Sequence, residues 1–418
     1  MIQDRYLLVI NLPCYLDSEG NRRLEVLWHK DLVKHLDHIA ALTLASPLRT
    51  EPPPPGDFPV VAVDDRAGTL AYLDLPPCRS TLSALVTLPA AMARLWRAIG
   101  RTDFVHANVG GWPISHGWVA VPMARLRGKF VMTNVESASW RMGLRRPWRF
   151  KRLAQGVVFE AMARFCVNLS DLVTFTQAGY RDEMLSKRRQ DRGHVISASW
   201  VDPVNILSDD RAEADWVERL ADPTRPLRVV FAGVLAAGKG VDVLLHALEL
   251  LGARDGAPLR VQLFGEGPLQ DACAETSRKL DGGRVILELC GRLAYGLEFF
   301  GMLRGQDLLV VPSVSDEQPR VVYDAFAQAL PVVASDTTGL VECVADGRNG
   351  RVVPAGDPAA LADALDRASA HRGRLRELGL AALGDARSLT HDEMHRRRAA
   401  LIASVVAGRR RAGAVNPA

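Results

Sequence analysis

The sequence predicts an α/β protein with two doubly wound domains, and three observations support this prediction. The chain has 418 residues, which is too long for one hydrophobic core and typical of two domains of ordinary size. Short apolar runs alternate with helical patterns through the first half, and the alternation starts again after a polar stretch that ends in prolines. Alternation of this kind favours parallel sheets that are covered by helices on both faces.

The first half, residues 1–202, is predicted to form one such domain. Its predicted strands are YLLVINL, ALTLAS, FPVVAV, DFVHANVG, KFVMTNVES, DLVTFTQ and HVISAS. Its predicted helices are EVLWHKDLVKHL, TLSALVTLPAAMARLWRAI, GWVAVPMARLRG and GVVFEAMARFCVNLS. The apolar runs are short and lie between loop-forming residues, as expected for buried strands.

The second half repeats the pattern after residues 203–226, which are polar, end in prolines and are predicted to form the linker. Strand and helix patterns then alternate, beginning with LRVVFAG and GVDVLLHALELLGA. They predict a second doubly wound domain over residues 227–385. Residues 386–418 are predicted to form a C-terminal helix and a basic tail.

Composition excludes several classes of protein. The chain is 48% hydrophobic and 24% charged with a net charge of +4, so it is globular and gives no case for nucleic-acid binding. Its six cysteines form no C-x-x-C pair, which argues against a zinc or redox site and for a reducing compartment. The start lacks the pattern of an export signal, and no run approaches the roughly 18 apolar residues of a membrane span. We therefore expect a cytoplasmic protein.

Glycines and one lysine follow the predicted strands of the second half. Open α/β sheets bind ligands at the carboxyl ends of their strands. Lys239 stands between glycines after the first of these strands, with Gly233 before it, and the next strand ends in a loop that contains Gly265 and Gly267. Glycines that allow close approach, a cation and a helix N-terminus together suit a phosphate.

Two carboxylates flank the start of a later helical pattern, RVVYDAFAQA. Asp316 precedes the pattern and Asp324 lies within it, while Pro319 is expected in the first turn of the helix. A helix start can hold an anion, and carboxylates can accept hydrogen bonds from hydroxyl groups. A ligand that carries both phosphates and hydroxyls is a sugar nucleotide.

The stretches VVFAGVLAAGKGVDVLLHAL, LFGEGPLQ and DEQPRVVYDAFAQALPVVAS resemble the retaining glycosyltransferases of the GT4 family, over roughly residues 226–370. The motifs DFVHAN and VISASWVD make the first half consistent with this family. The resemblance implies the GT-B fold, in which two Rossmann-like domains face each other across a cleft. It also implies a hexosyltransferase that moves a sugar from a UDP- or GDP-sugar to a glycan or lipid-linked acceptor, in surface polysaccharide or glycoconjugate biosynthesis. No cofactor and no metal is implied, and the chain has no D-x-D pair to hold one.

The resemblance further implies roles for individual residues. The E-x7-E signature of the family falls on Asp316, next to the reacting carbon of the sugar, and on Asp324, at the ribose. Lys239 falls on the phosphate-binding lysine. The other implied donor-binding residues are Gly233, Gly265, Gly267, Arg292, Leu293, Glu317, Gln318, Pro319, Arg320 and Val321. The acceptor is expected to meet His106, Asn134 and Glu136.

The chain departs from the family pattern at several positions, and these departures keep two alternatives open. Both signature acids are Asp instead of Glu, and Val234 stands where the family has an arginine of the diphosphate clamp. The first alternative is a catalytically weak partner or binding subunit, which would not hydrolyse a donor. The second is a sugar-nucleotide epimerase of the same fold, which would need no acceptor and which the acid pair disfavours.

Single residues also have less specific interpretations. Taken alone, Asp316 and Asp324 fit a helix cap and a solvated helix position, and Lys239 fits a surface lysine. His106 fits a hydrogen-bonded core histidine as well as an acceptor contact at the end of a strand.

Residues 141–152, RMGLRRPWRFKR, form a basic segment that has six basic residues and no acid, with Trp148 and Phe150 among them. The segment fits a solvated loop and, equally, a surface that docks on an anionic membrane. We therefore expect peripheral attachment to the inner membrane as an extension of a cytoplasmic location.

Overall fold

The computed structural model describes residues 1–51, 53, 59–63, 68–111, 113–138, 140–141, 150–315 and 318–415. The chain divides into two units. The first unit comprises Met1–Ile196 together with Met394–Ala418, and the second comprises Ser197–Glu393.

The first unit contains a sheet in which the described residues form ten strands. These are β1 (Tyr6–Val9), β2 (Cys14–Leu16), β3 (Arg22–Glu25), β4 (Leu42–Arg49), β5 (Val60–Ala62), β6 (Leu70–Leu75), β7 (Phe104–Asn108), β8 (Phe130–Val135), β9 (Leu172–Phe175) and β10 (Gly193–Val195). The order across the sheet is β10-β9-β8-β7-β1-β4-β2-β3-β5, and β6 also pairs with β4. All these pairs are parallel except those of β3, which runs antiparallel to β2 and β5. The strand order reverses direction between β1 and β7.

The described residues of the first unit form five α-helices before residue 197. They are α1 (Val26–Leu36), α2 (Thr81–Gly100), α3 (Gly117–Leu126), α4 (Phe150–Leu169) and α5 (Ala178–Met184). The helices bury the apolar side of each turn, as α2 shows with Ala84, Ala91, Leu95 and Ile99. Among the described residues α2 is the one helix whose length and mean hydropathy would suffice to cross a membrane. The expectation that no run approaches a membrane span therefore needs correction, because α2 meets this test although it carries arginines.

In the second unit the described residues form a six-stranded sheet in which every pair is parallel. Its strands are β11 (Leu227–Ala232), β12 (Leu259–Phe264), β13 (Val285–Gly291), β14 (Leu308–Val311), β15 (Val332–Ser335) and β16 (Gly350–Val353). The order is β13-β12-β11-β14-β15-β16, so it reverses between β11 and β14. Strands β14 and β15 are buried along their whole length, which is why they read as uninterrupted apolar runs.

The helices of the second unit alternate with these strands. They are α6 (Asp209–Leu220), α7 (Val241–Gly252), α8 (Gln270–Leu280), α9 (Leu297–Arg304), α10 (Val321–Ala327), α11 (Thr338–Val341), α12 (Pro358–Ala370) and α13 (Arg372–Ala386). Helix α7 illustrates the pattern, because Leu244, Leu248 and Leu251 recur at helical spacing and are all fully buried. Two parallel-sheet domains were predicted from the sequence, and this prediction is confirmed.

The last helix, α14 (His391–Val415), contributes residues from Met394 onward to the first unit. Its inner face carries His395 and Arg398, which meet Asp31 and His35 of α1. His395 Nε2 lies 2.9 Å from Asp31 Oδ1, and Arg398 Nη1 lies 3.0 Å from His35 Nε2. All four residues are at most 9% exposed. We call this group the α1–α14 network.

The division into units differs from the predicted boundaries. It falls between Ile196 and Ser197, and residues 203–226, predicted as a linker, contain α6 inside the second unit. The outer side of α6 is charged, which gave it the composition of a linker. Its inner side holds Trp216, which is 1% exposed and donates its indole N–H to the carbonyl of Ala329 at 3.0 Å.

The predicted basic segment, residues 141–152, falls mostly outside the described residues, which omit 142–149. Arg141 is described, and its guanidinium pairs with Glu160 at 2.8 Å and with Glu183 at 2.6 Å. Its side chain is 12% exposed. Arg141 is therefore a structural residue of the first unit, because a charge held by two carboxylates is poorly available to a membrane.

Candidate functional site

The candidate site lies in the second unit, at the edge where the strand order reverses between β11 and β14. The loops that follow these two strands touch each other. The amide of Val314 donates to the carbonyl of Gly238 at 3.2 Å. Gly240 has a φ of 70°, and a Cβ atom there would lie 1.7 Å from the carbonyl oxygen of Pro312. Position 240 therefore requires glycine for both its left-handed backbone and its packing.

Lys239 lies in the loop after β11, next to the start of a long helix. It ends the 3₁₀ turn Ala237–Lys239, is half-buried, and stands two residues before α7 begins at Val241. The first turn of an α-helix has free N–H groups and the positive end of the helix dipole. The structure thus places a lysine and a helix N-terminus together at the predicted edge, although phosphate binding by Lys239 stays a prediction.

Close packing explains the two glycines in the loop that follows β12. A Cβ atom on Gly265 would lie 1.9 Å from the carbonyl oxygen of Gly233, and one on Gly267 would lie 2.5 Å from that of Leu235. The amide of Leu235 donates to the carbonyl of Glu266 at 3.0 Å, which ties the two loops together. Close packing between loops accounts for both glycines without a ligand, so their presence alone does not indicate phosphate binding.

The residues around the predicted base and diphosphate contacts are exposed. Gly233 and Val234 face solvent, Val234 with 54% of its surface exposed. Arg292 pairs with Glu266 at 2.9 Å, and both side chains are exposed. Leu293 is half-buried beside them. An arginine in an exposed pair can exchange its carboxylate for another anion at small cost, because such pairs contribute about 0–1 kcal/mol.

The second signature acid, Asp324, lies on α10 and is 4% exposed. The hydroxyl of Tyr295 donates to Asp324 Oδ1 at 2.9 Å. Burial, followed by the neighbouring carboxylate, raises the pKa of Tyr295, so this tyrosine keeps its proton as a donor. Tyr295 was missed from the sequence, because nothing in the local spacing marks a partner 29 residues away.

The other acid, Asp316, and its neighbour Glu317 lie outside the described residues, so their roles stay predictions. The described chain resumes at Gln318, and α10 begins at Val321 with Arg320 as its N-cap. Pro319 therefore precedes the helix, and its predicted place in the first turn is wrong. With seven residues, α10 is also a shorter helix than the sequence suggested.

Gln318 and Arg320 contact a segment of the second unit that sequence reasoning did not connect with them. Gln318 Oε1 accepts from the amide of Ala198 at 3.3 Å. The guanidinium of Arg320 lies 4.8 Å from the ring centre of Trp200. That ring stacks in turn on His391, with centroids 5.5 Å apart and planes within 6°. Val321, the last of the predicted donor residues, is the first residue of α10 and packs against the apolar core of the second unit.

The predicted acceptor residue His106 is a core side chain of the first unit. It lies in the middle of β7 and is 3% exposed, so its predicted position at the end of a strand is wrong. The hydroxyl of Tyr6 lies 2.8 Å from His106 Nδ1. Burial above all, followed by the nearby His35, holds the pKa of His106 well below its usual range. The structure agrees with the core interpretation that the sequence left open.

Asn134 and Glu136, the other predicted acceptor residues, do lie together at the carboxyl end of β8. Asn134 Nδ2 donates to Glu136 Oε1 at 2.9 Å, and Asn134 Oδ1 accepts from the Thr174 hydroxyl at 3.0 Å. Both residues are half-buried. Their position fits the ligand-binding edge of a parallel sheet, and their contact with an acceptor stays a prediction.

A polar group near the reversal point of the first sheet was missed from the sequence. Asn11, after β1, accepts from the amide of His116 at 2.8 Å and lies 2.9 Å from His116 Nδ1. Asn11 Nδ2 donates to Ser115 Oγ at 2.9 Å. Burial lowers the pKa of His116 to about 4, so the ring is neutral at pH 7.

One group of described residues has the composition of a metal site, namely Asp31, His35 and His395, whose ligand atoms lie within 4.8 Å of one another. It belongs to the α1–α14 network of the first unit. His35 Nε2 already faces the guanidinium of Arg398, which is a fixed positive charge. A second cation would meet that charge, so the group fits a self-contained polar network better than a metal centre.

Comparison with known proteins places this geometry in a family. The sequence pattern of a family described as "Glycosyl transferases group 1" matches residues 226–371. A D-inositol 3-phosphate glycosyltransferase of Xylanimonas cellulosilytica is 30% identical over 353 residues, which cover 78% of this chain and 78% of the relative. The chain belongs to the group 1 glycosyltransferases. The α-D-kanosaminyltransferase of Streptomyces kanamyceticus is 26% identical over 280 residues, 66% of this chain and 69% of that protein.

Solved structures show the fold of this glycosyltransferase. Sucrose-phosphate synthase of Thermosynechococcus elongatus superposes with a TM-score of 0.66 and 17% identity, over 97% of this chain and 100% of that one. Anabaena HepE in complex with UDP gives a TM-score of 0.63 and 15% identity, over 96% and 100%. These are glycosyltransferases of the GT-B fold, and the predicted fold class is confirmed.

Proposed function

We propose that this glycosyltransferase moves a hexose from a UDP- or GDP-sugar to a glycan or lipid-linked acceptor, with retention of the anomeric configuration and without a metal ion. The observation that carries the proposal is the edge of the second sheet at the β11–β14 reversal. There a loop with Lys239 and a helix with buried Asp324 follow adjacent strands.

The choice of donor rests on chemistry and on comparison. A nucleoside diphosphate sugar needs a cation and N–H donors for its phosphates and acceptors for its hydroxyls, and the edge offers both kinds of group. HepE, whose fold this chain shares, has been solved with UDP and with UDP-glucose. The resemblance to the GT4 family supports retention, and it supports GDP as the second candidate base.

The proposed chemistry assigns one task to each group. Cleavage of the sugar–phosphate bond leaves negative charge on the departing diphosphate, which Lys239 and the first turn of α7 are placed to stabilise. The carboxylate of Asp324, oriented by Tyr295, accepts hydrogen bonds from the ribose hydroxyls. Asp316 contacts the donor sugar near the carbon that reacts. Because the positive charge comes from the chain itself, no divalent cation is required.

We further propose that the enzyme works at the cytoplasmic face of the inner membrane, in surface polysaccharide or glycoconjugate synthesis. A lipid-linked acceptor keeps its head group at the membrane surface, so the enzyme has to come to it. The basic segment supports this proposal through Arg145, Arg146, Arg149 and Arg152, which suit an anionic surface. Vesicle co-sedimentation with these four arginines changed to Gln tests the role of the segment. Unaltered binding would show that the segment does not attach the enzyme to the membrane.

A donor screen tests the function. Nucleotide sugars that bind the folded chain raise its melting temperature, so thermal shift against UDP- and GDP-sugars identifies the donor. The donor that this screen identifies is then incubated without acceptor. An enzyme is expected to hydrolyse it slowly, whereas a binding subunit would give no hydrolysis.

NMR of the transferred sugar should show the anomeric configuration of the donor. EDTA should leave the rate of sugar transfer unchanged. A loss of transfer activity that magnesium restores would refute metal independence.

A further inference from the structure

Helix α2 of the first unit turns large apolar side chains outward. Leu82 and Val86 are each 73% exposed, Leu85 is 54% exposed, and Met92 and Trp96 are 37% and 39% exposed. The opposite side of the helix packs into the core of the unit through Ala84, Ala91, Leu95 and Ile99. A surface helix in water normally presents polar residues on its outer side, so this exposed face requires a partner.

The exposed apolar residues form one continuous patch. At about 100° per residue, Leu82, Leu85, Val86, Met92 and Trp96 fall within an arc of roughly 120° on the helix surface. The patch extends about 21 Å along the helix axis, since residues 82 to 96 rise about 1.5 Å each. We call it the α2 face.

Positive charge borders the α2 face. Arg94, Arg97 and Arg101 lie along one flank and are exposed, and the sequence of α2 contains no acid. Within the part of the chain that the structure describes, none of these three arginines forms an ion pair. At the C-terminal end of the face itself, the guanidinium of Arg127 lies 4.0 Å from the ring centre of Trp96.

The basic flank also lines an open cavity of about 460 Å³. Arg94, Arg97 and Arg101 reach it from the helix, and Thr43 and Thr69 lie on its other walls. A phosphate that entered this cavity would meet guanidinium and hydroxyl donors, the groups that bind phosphate best. The cavity lies at the amino ends of β1, β4 and β6, at the opposite end of these strands from the ligand-binding edge.

We propose that the α2 face docks on an anionic lipid bilayer. The helix lies parallel to the membrane, with its apolar arc in the boundary between head groups and acyl chains and its arginines at the lipid phosphates. It lies on the membrane instead of spanning it, because its other side belongs to the core of the first unit. A second copy of the chain is a poorer partner, since pairing two such faces would bring the arginines of both copies together.

This inference deepens the membrane attachment proposed above, and it uses residues other than the basic segment. It depends on neither the donor nor the reaction, so the two proposals can fail separately. An α2 variant that has lost membrane binding should still respond to UDP in a thermal shift. If the wild type responds to neither UDP nor GDP, that result counts against the proposed function alone.

The test is co-sedimentation of the full chain with vesicles of phosphatidylcholine alone and with added phosphatidylglycerol. The first variant combines Leu82→Gln, Leu85→Gln and Val86→Gln, and the second combines Arg97→Gln with Arg101→Gln. The matched control replaces three exposed apolar residues of the second unit, Val204→Gln, Val217→Gln and Leu297→Gln, which are 88%, 65% and 87% exposed. All replaced residues are exposed, so the fold should persist in every variant.

We expect the wild type and the control to bind vesicles with phosphatidylglycerol at least tenfold better than vesicles without it. Each α2 variant should lose at least tenfold in binding, and added salt should weaken wild-type binding as it screens the arginines. The proposal would be overturned if both α2 variants bound vesicles as strongly as the wild type does. It would also be overturned if the wild type did not bind vesicles. A dimer that the apolar variant converts to a monomer, without any lipid binding, would assign the α2 face to a second copy instead.

Discussion

Tyr295 donates its hydroxyl hydrogen to the carboxylate of Asp324 at 2.9 Å, in a site where the acid is 4% exposed. One carboxylate oxygen is thereby fixed by the protein. A buried acid that is held in this way has a defined orientation, which is what a hydroxyl-binding residue needs. Tyr295 is therefore a positioning partner for Asp324, an acid that was first inferred from a motif.

The first prediction separates the two signature acids. Asp316→Asn should lower kcat more than it raises the donor KM, because its proposed contact is with the reacting sugar. Asp324→Asn should mainly raise the donor KM, since ribose contacts are equal in the ground and transition states. Steady-state kinetics with varied donor measures both effects. The opposite pattern in the two variants would show that the assigned roles are wrong.

The second prediction concerns Tyr295. Tyr295→Phe removes one neutral-to-charged hydrogen bond and should raise the donor KM about tenfold, since such a bond is worth roughly 1.5 kcal/mol. Added to Asp324→Asn, the same change should have a much smaller effect, because the two residues act as one unit. Phe299→Leu, on the aromatic group beside Tyr295, is the packing control. If Tyr295→Phe raised the donor KM equally in the wild type and in Asp324→Asn, a positioning role for Tyr295 would be excluded.

The third prediction concerns the phosphate contact. Lys239→Ala should weaken binding of the nucleoside diphosphate about tenfold or more, because a charge-assisted hydrogen bond contributes roughly 1.5–3 kcal/mol. Isothermal titration calorimetry with UDP and GDP measures the change. Lys279→Ala on α8, where the lysine pairs with Glu249 and Glu275, is the control. Unchanged affinity for Lys239→Ala would remove this residue from the site.

The fourth prediction concerns pH and His116. Burial lowers the pKa of His116 to about 4, whereas an unfolded histidine titrates near about 6.5. Between these values the unfolded chain binds a proton that the folded chain does not, so stability falls as pH drops from about 6.5 to 4. The loss from this residue amounts to about 3 kcal/mol at most.

His116→Asn keeps a side-chain N–H for Asn11 but does not titrate. Urea unfolding at pH 7.5 and pH 5 should therefore show a smaller pH dependence in this variant than in the wild type. His246→Asn, at an exposed position of α7, should retain the wild-type dependence. An identical pH dependence in all three proteins would contradict the prediction.

The fifth prediction concerns the α1–α14 network. Arg398→Met should destabilise the first unit by about 3 kcal/mol, because it removes the fixed positive charge from a buried network that also holds the carboxylate of Asp31. Arg397→Met, exposed on the same turn, should cost far less. Urea unfolding compares the two. Adding Asp31→Asn should restore part of the loss if the charge is the reason, and no restoration would point to packing instead.

Much of the fold could be predicted because its signals are local. A strand buried on both faces reads as an apolar run, as Leu308–Val311 does, and a helix behind it repeats apolar residues at helical spacing. Short strands lack this signal. Arg22–Glu25 has one fully buried residue among four and was not predicted. Helix α6 was taken for a linker because its exposed side dominates its composition.

The candidate site could be predicted where a motif lies within one loop, as with Lys239 and its glycines. Partners that are distant along the chain could not be predicted. Asp324 and Tyr295 are 29 positions apart, and Asp31 and His395 are 364 apart. His106 shows the limit for a single residue, since a strand position does not reveal whether its side chain faces a ligand or the core.

The α14 contribution to the first unit has a consequence for biosynthesis. A ribosome delivers the second unit, Ser197–Glu393, as one uninterrupted piece, and it releases Met394–Ala418 only after that unit. Until then the nascent first unit lacks Ile402 in its core, and Asp31 and His35 lack their partners on α14. The first unit therefore begins before the second unit and is completed after it, in contrast to the usual N-to-C order of domain folding during translation.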